Sequence, residues 1–102
     1  MTNAKEELLE KLNYWKKEKN DIKCAYIECG KEIILKVDFT DEEYEQFLKE
    51  MDFEYDAGYG MQELFGKVWF KDNSWLERYE YDGAEKWIYK KYPEINEKCL
   101  RK

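Results

Sequence analysis

The chain has 102 residues, of which 41% are charged, 43% hydrophobic and 18% aromatic. That length holds one domain with one core, here taken as residues 1–102, and the aromatic share excludes a disordered chain, because buried rings offset the entropy lost on ordering. A net charge of −6 without a single histidine argues against direct nucleic-acid binding, which needs clustered Lys and Arg, and removes the commonest general base and metal ligand.

Thr2 or Asn3 can cap a first helix. Glu6 and Glu7 fall in its first turn, where the helix dipole favours acids. Ala4, Leu8, Leu12 and Trp15 form its apolar stripe, and the helix is expected to run to about Lys19. A hairpin follows. "IKCAYIEC" and "EIILKVDF" flank a short turn at Gly30-Lys31, and Ile33, Leu35, Val37 and Phe39 alternate as one face of a strand. Thr40 with Glu43 three residues later is a capping box opening a second helix, whose stripe is Tyr44, Phe47, Leu48 and Met51. "MDFEYDAGYGMQELFG" reads as a hairpin-like return punctuated by Gly58, Gly60 and Gly66.

The stretch "FGKVWFKDNSWLERYEYDGAEKW" (65–87) reads as a meander. Its turns are Asp72-Asn73 and Asp82-Gly83, pairs that tolerate left-handed backbone. With period 2, Trp75, Glu77, Tyr79 and Tyr81 share one face and Leu76, Arg78, Glu80 and Asp82 the other. Pro93 ends the last strand, and 94–102 is a polar tail or a short final helix. The order α-β-β-α-β-β-β predicts an α+β fold, a five-stranded largely antiparallel sheet with two helices on one face.

Chemistry for an enzyme is sparse. Ser74 has no imidazole to activate it, and no glycine-rich phosphate loop appears. Cys24 and Cys29 stand on opposite faces of one strand, poor geometry for a disulfide or a joint metal site. With Cys99 they make an odd count suited to a reducing cytoplasm. No signal peptide opens the chain and no apolar run approaches the ~20 residues that cross a bilayer. Glu77, Glu80, Asp82 and Glu85 can be read as oxygen ligands for Mg²⁺ or Mn²⁺, although Arg78 beside Glu80 equally reads as a salt bridge. The expectation is a protein without catalytic residues, cofactor or bound metal.

Charge is segregated along the chain. Residues 38–56 hold nine acids against Lys49, whereas 86–102 hold six bases against two acids. An acidic pole predicts a partner with a basic surface. The candidate contact residues are Glu42, Glu43, Glu45, Asp52, Glu54 and Asp56, with Tyr55, Tyr59, Trp75 and Arg78 as aromatic and guanidinium anchors. A competing reading is self-association into a homodimer along the Trp87–Tyr92 edge.

The segment "GYGMQELFGKVWFKDNSWLERYEYDGAEKWIYKKYPEI" resembles small proteins encoded by bacteriophages and prophages. These share a G-Y-G-x-Q-E-L-x-G-x-x-W pattern, a D-x-S/T-W turn, E-R-x-E-Y-D-G-x-E-x-W and then P-E-I. Gly58, Gly60, Gln62, Gly66, Trp69, Asp72, Trp75, Arg78, Asp82, Glu85, Trp87 and Pro93 are among the matching positions, over roughly residues 53–95. Asn73, Ala84 and Ile88 depart from the pattern. The resemblance implies a small accessory protein working in a bacterial cytoplasm. Together with the charge it yields the functional expectation of an inhibitor or modulator of a host protein. A nucleic-acid-handling or defence enzyme, including a CRISPR effector, is the expected target type.

Overall fold

The computed structural model describes residues 1–58, 61–93 and 95–101. The fold is α+β. A five-stranded, wholly antiparallel sheet runs β2 (Ile22–Glu28), β3 (Glu32–Leu35), β5 (Phe65–Phe70), β6 (Ser74–Tyr81) and β7 (Ala84–Lys91), in the spatial order β3-β2-β5-β6-β7. Helices α1 (Ala4–Tyr14) and α2 (Asp41–Glu50) cover one face. A two-stranded ribbon pairs β1 (Thr2–Asn3) with β4 (Glu54–Tyr55). Short 3₁₀ turns stand at Lys19–Asp21 and Glu97–Cys99.

Both helix starts follow from their caps. The Asn3 side-chain oxygen accepts from Glu6 N at 3.0 Å. Thr40 Oγ1 accepts from Glu43 N while Thr40 N donates to the Glu43 carboxylate, so two orphan helix donors are satisfied. Ala4, Leu8 and Leu12 of α1 and Tyr44 and Phe47 of α2 enter one core with Ile22, Ala25, Ile27, Ile33, Leu35, Val68, Phe70, Leu76 and Trp87 from the sheet.

The first helix is shorter than expected, ending at Tyr14 rather than near Lys19. Lys16 takes a left-handed φ of 57°. Lys16 N then donates to Asn13 O and Lys17 N to Leu12 O at 2.8 Å, closing a Schellman stop. The second strand of the first hairpin is also shorter. It ends at Leu35, leaving Val37 54% exposed, because Asp38 turns left-handed at φ 58°.

Strand β2 does not alternate simply. Ile22, Ala25 and Ile27 are all buried, and three-residue spacing on one face requires an extra residue. A bulge between Ile22 and Cys24 supplies it. Cys29 lies beyond the strand, in the turn at Gly30.

Among the described residues of the return 51–66 no hairpin forms. Glu54–Tyr55 joins the N-terminal ribbon, and Ala57 O accepts from Glu85 N on β7 at 2.8 Å. Gly66 has φ 146°, and a Cβ there would run into the Tyr26 carbonyl oxygen and lie 2.9 Å from Ile27 Cα. Glycine therefore lets the two central strands meet. The β5–β6 connection is three residues rather than two. Asn73 N donates to Phe70 O, and Asn73 itself is left-handed at φ 69°, a turn followed by a one-residue bulge. Asp82 and Gly83, at φ 53° and 86°, form the expected two-residue turn between β6 and β7.

Candidate functional site

The residues singled out in the sequence divide among three places. The first is the flank formed by α2 and the segment that follows it. Glu42, Glu43 and Glu45 are exposed on α2, and Asp52, Glu54 and Asp56 are exposed beyond it. Several of these acids have internal work. Glu43 closes the capping box, Asp41 pairs with Lys19 at 2.7 Å, and Asp56 accepts from Gly58 N. Asp52 accepts from Asn3 and pairs with Lys5, which together hold its carboxyl below the usual range. Among the described residues Asp38, Glu42, Glu45, Glu50 and Glu54 have no ion pair.

The second place is internal. Two expected anchors, Tyr55 and Arg78, are buried and so stand away from the surface. Nor does Arg78 pair with Glu80. Its Nη1 reaches Glu7 at 3.1 Å, its Nη2 reaches the Tyr55 hydroxyl at 2.7 Å and Glu85 at 3.1 Å, and its guanidinium lies 5.0 Å over the Trp87 ring. The Tyr55 hydroxyl in turn donates to Glu7. Burial first, and then the Glu7 carboxylate, push the Tyr55 phenol well above its usual range. Glu85 also accepts from Glu63 N and Leu64 N at 2.6 and 3.0 Å. This clasp joins α1, β4, the 63–64 segment, β6 and β7. Burial of a charged pair is tolerable here because nearly every polar atom is satisfied.

The clasp also separates the carboxylates offered for a metal. Glu85 is turned inward and neutralised, Glu77 projects from the opposite face, and Glu80 accepts from Gly83 N at the turn. Among the described residues no group of three acids and cysteines converges as a cation site.

The third place is the sheet face away from the helices. The period-2 grouping holds in the register: Trp75, Glu77, Tyr79 and Tyr81 point one way, opposite buried Ser74, Leu76 and Arg78. The ring layer against the helices is instead Trp87, Phe70 and Tyr89, with Tyr89 stacked on Trp15 at 4.1 Å. On the open face Trp69 stands opposite Trp75, Lys67 opposite Glu77, and Trp75 opposite Lys90. Trp75 Nε1 donates to Glu77 at 2.8 Å, and Lys90 reaches the same carboxylate at 3.4 Å. Those two contacts hold the Glu77 carboxyl below its usual range, the indole hydrogen bond being the larger cause.

A cavity of about 260 Å³ opens beside this pair, lined by Lys23, Lys67, Trp69 and Trp75, the Asn73-Ser74 turn and Tyr92. Tyr92 meets Trp75 edge to face at 5.6 Å. Trp75 is thus the one expected anchor that lies half-exposed, on the side of the sheet opposite α2. Tyr59 lies outside the described residues. Lys23, Lys67 and Tyr92 were not named as contact residues in the sequence, because the β2–β5 register brings Lys23, the β5–β6 pairing Lys67 and the β6–β7 pairing Tyr92 towards Trp75.

The edge strands of the sheet are β3 and β7, of which β7 is the one expected to self-associate. At Glu85 that edge is already taken by Ala57, and further along it carries Lys90 and Lys91, charges that discourage strand addition. Among the described residues no helix is long and apolar enough to cross a membrane. A scan against protein-family models and searches of curated proteins and of solved structures gave no match to this chain.

Proposed function

We propose that this chain is a non-enzymatic accessory protein that binds a protein with a basic surface through the flank made by α2 and residues 52–56. The observation that carries the reading is the division of acids by use. Glu7, Asp72, Glu77 and Glu85 are tied to internal partners. Other acids without an ion pair among the described residues, such as Glu10, Glu28 and Glu80, are scattered along the chain, whereas Asp38, Glu42, Glu45, Glu50 and Glu54, also without one, gather within one short segment. Unpaired like charges cost a little in self-repulsion and gain energy only when an opposite surface arrives. In keeping with the phage-type resemblance, the proposed partner is a bacterial cytoplasmic protein, a nucleic-acid-handling or CRISPR defence enzyme whose basic groove the flank would cover.

The test is affinity capture from a nuclease-treated bacterial lysate, run in parallel with wild type and a Glu42→Lys, Glu45→Lys double variant. Glu43 is left alone, since its loss would also remove a helix cap. A partner held by wild type, weakened by salt and reduced roughly tenfold or more by the reversal supports the reading. Equal retention by both proteins, or light scattering that finds only a homodimer built on the β7 edge, defeats it.

A further inference from the structure

The open-face cavity has a chemistry separate from the acidic flank. Its lining includes Trp69, which is 36% exposed, and Trp75, with Tyr92 packed against Trp75. Its cations are Lys23 and Lys67, neither in an ion pair among the described residues. No described carboxylate lines it. The neighbouring acid, Glu77 on β6, stands opposite Lys67 and is itself engaged by Trp75 Nε1 and Lys90. At about 260 Å³ the space is below that of a drug-sized pocket. Aromatic side chains favour a planar ring, and two lysines outside any ion pair among the described residues favour an anion.

We propose that this cavity binds a nucleoside phosphate, its base lying against the Trp69 and Trp75 indoles and its phosphate between Lys23 and Lys67. Asn73, at the rim, carries an amide with both donor and acceptor capacity for the base edge. The overall acidity of the chain does not oppose this at the site itself, because no described carboxylate lines the cavity. The same chemistry is offered by a free nucleotide and by one residue of a single strand, and the site is independent of the acidic-flank reading.

The experiment is a tryptophan-fluorescence titration of the whole protein, confirmed by calorimetry. The probes are adenosine 5′-monophosphate, adenosine, inorganic phosphate and a short single-stranded oligonucleotide. Saturable quenching by the monophosphate is expected, with adenosine and phosphate each at least about tenfold weaker. The oligonucleotide binding more tightly than the monophosphate assigns the site to a strand, and equal or weaker binding assigns it to a free nucleotide. A Lys23→Ala, Lys67→Ala variant keeps the melting temperature, since both side chains are exposed, and is expected to lose about tenfold in affinity for the monophosphate. Trp69→Leu is expected to weaken the monophosphate and adenosine alike. Absence of saturable binding by both monophosphate and oligonucleotide overturns the proposal, as does binding that the double lysine variant leaves unchanged.

Discussion

Arg78 holds five parts of the chain on one guanidinium, and its removal strands a carboxylate. The Arg78 and Glu85 side chains are each 1% exposed. Arg78→Ala would leave Glu85 buried without its cation, a loss of about 3–5 kcal/mol. Urea denaturation is expected to show a much lower midpoint for this variant, with Arg78→Lys between it and wild type because one ammonium cannot span Glu7, Tyr55 and Glu85. A midpoint equal to wild type would deny the clasp its structural role. In the sequence Arg78 sits two residues from Glu80, so a local pair is the natural reading. Its partners lie at positions 7, 55 and 85, and only the tertiary fold brings them together. Asp72 behaves differently because it is largely exposed. The Lys17 ammonium at 2.6 Å, then the Ser74 hydroxyl, hold its carboxyl down at about 2 against an ordinary 3.8. A depressed folded value means that its contribution is present above the ordinary value and is lost as pH falls from about 4 to about 2. Solvent screening keeps that contribution below about 1 kcal/mol. Thermal melts of wild type and Asp72→Asn should differ near neutrality and converge by about pH 2, and a constant gap across that window would refute the assignment.

The end of α1 is an element governed by one unfavourable residue. Lys16 occupies the left-handed position of the Schellman stop where glycine is usual. Lys16→Gly is expected to stabilise by about 0.5–1 kcal/mol, seen as a melting temperature raised by several degrees; a fall would show that the lysine side chain contributes more than its backbone costs. The same residue explains why the helix boundary was misread: without a glycine, nothing in "NYWKKEKND" marks the stop. Elements whose signal is local were legible. The Thr40–Glu43 box and the Asp82-Gly83 turn each announce themselves within four residues. The bulge in β2 and the early end of β3 were not, since "IKCAYIE" and "EIILKV" alternate acceptably in either form and only the partner strands decide.

On the scale of the whole molecule, the sheet divides two surfaces of unlike character. One side carries the helices; the other carries Trp69 and Trp75 with Lys67 and Lys90. The acidic flank was legible as a charge run in the sequence, although Tyr55 and Arg78, read with it as anchors, turned out to be interior. The lysine and tryptophan cavity was not legible, because Lys23, Lys67 and Trp75 lie on three strands whose order follows from the β2–β5 pairing. That pairing also bears on the order in which the chain is made. During synthesis β2 and β3 emerge early as a lone two-stranded hairpin, which is marginal in water. The strand that flanks β2 on its other side, Phe65–Phe70, emerges only after α2 and the whole 51–64 segment. The β5–β6–β7 meander needs only turns of three and two residues and can close as soon as it appears. The nascent first half therefore waits for the second half to supply the centre of its own sheet.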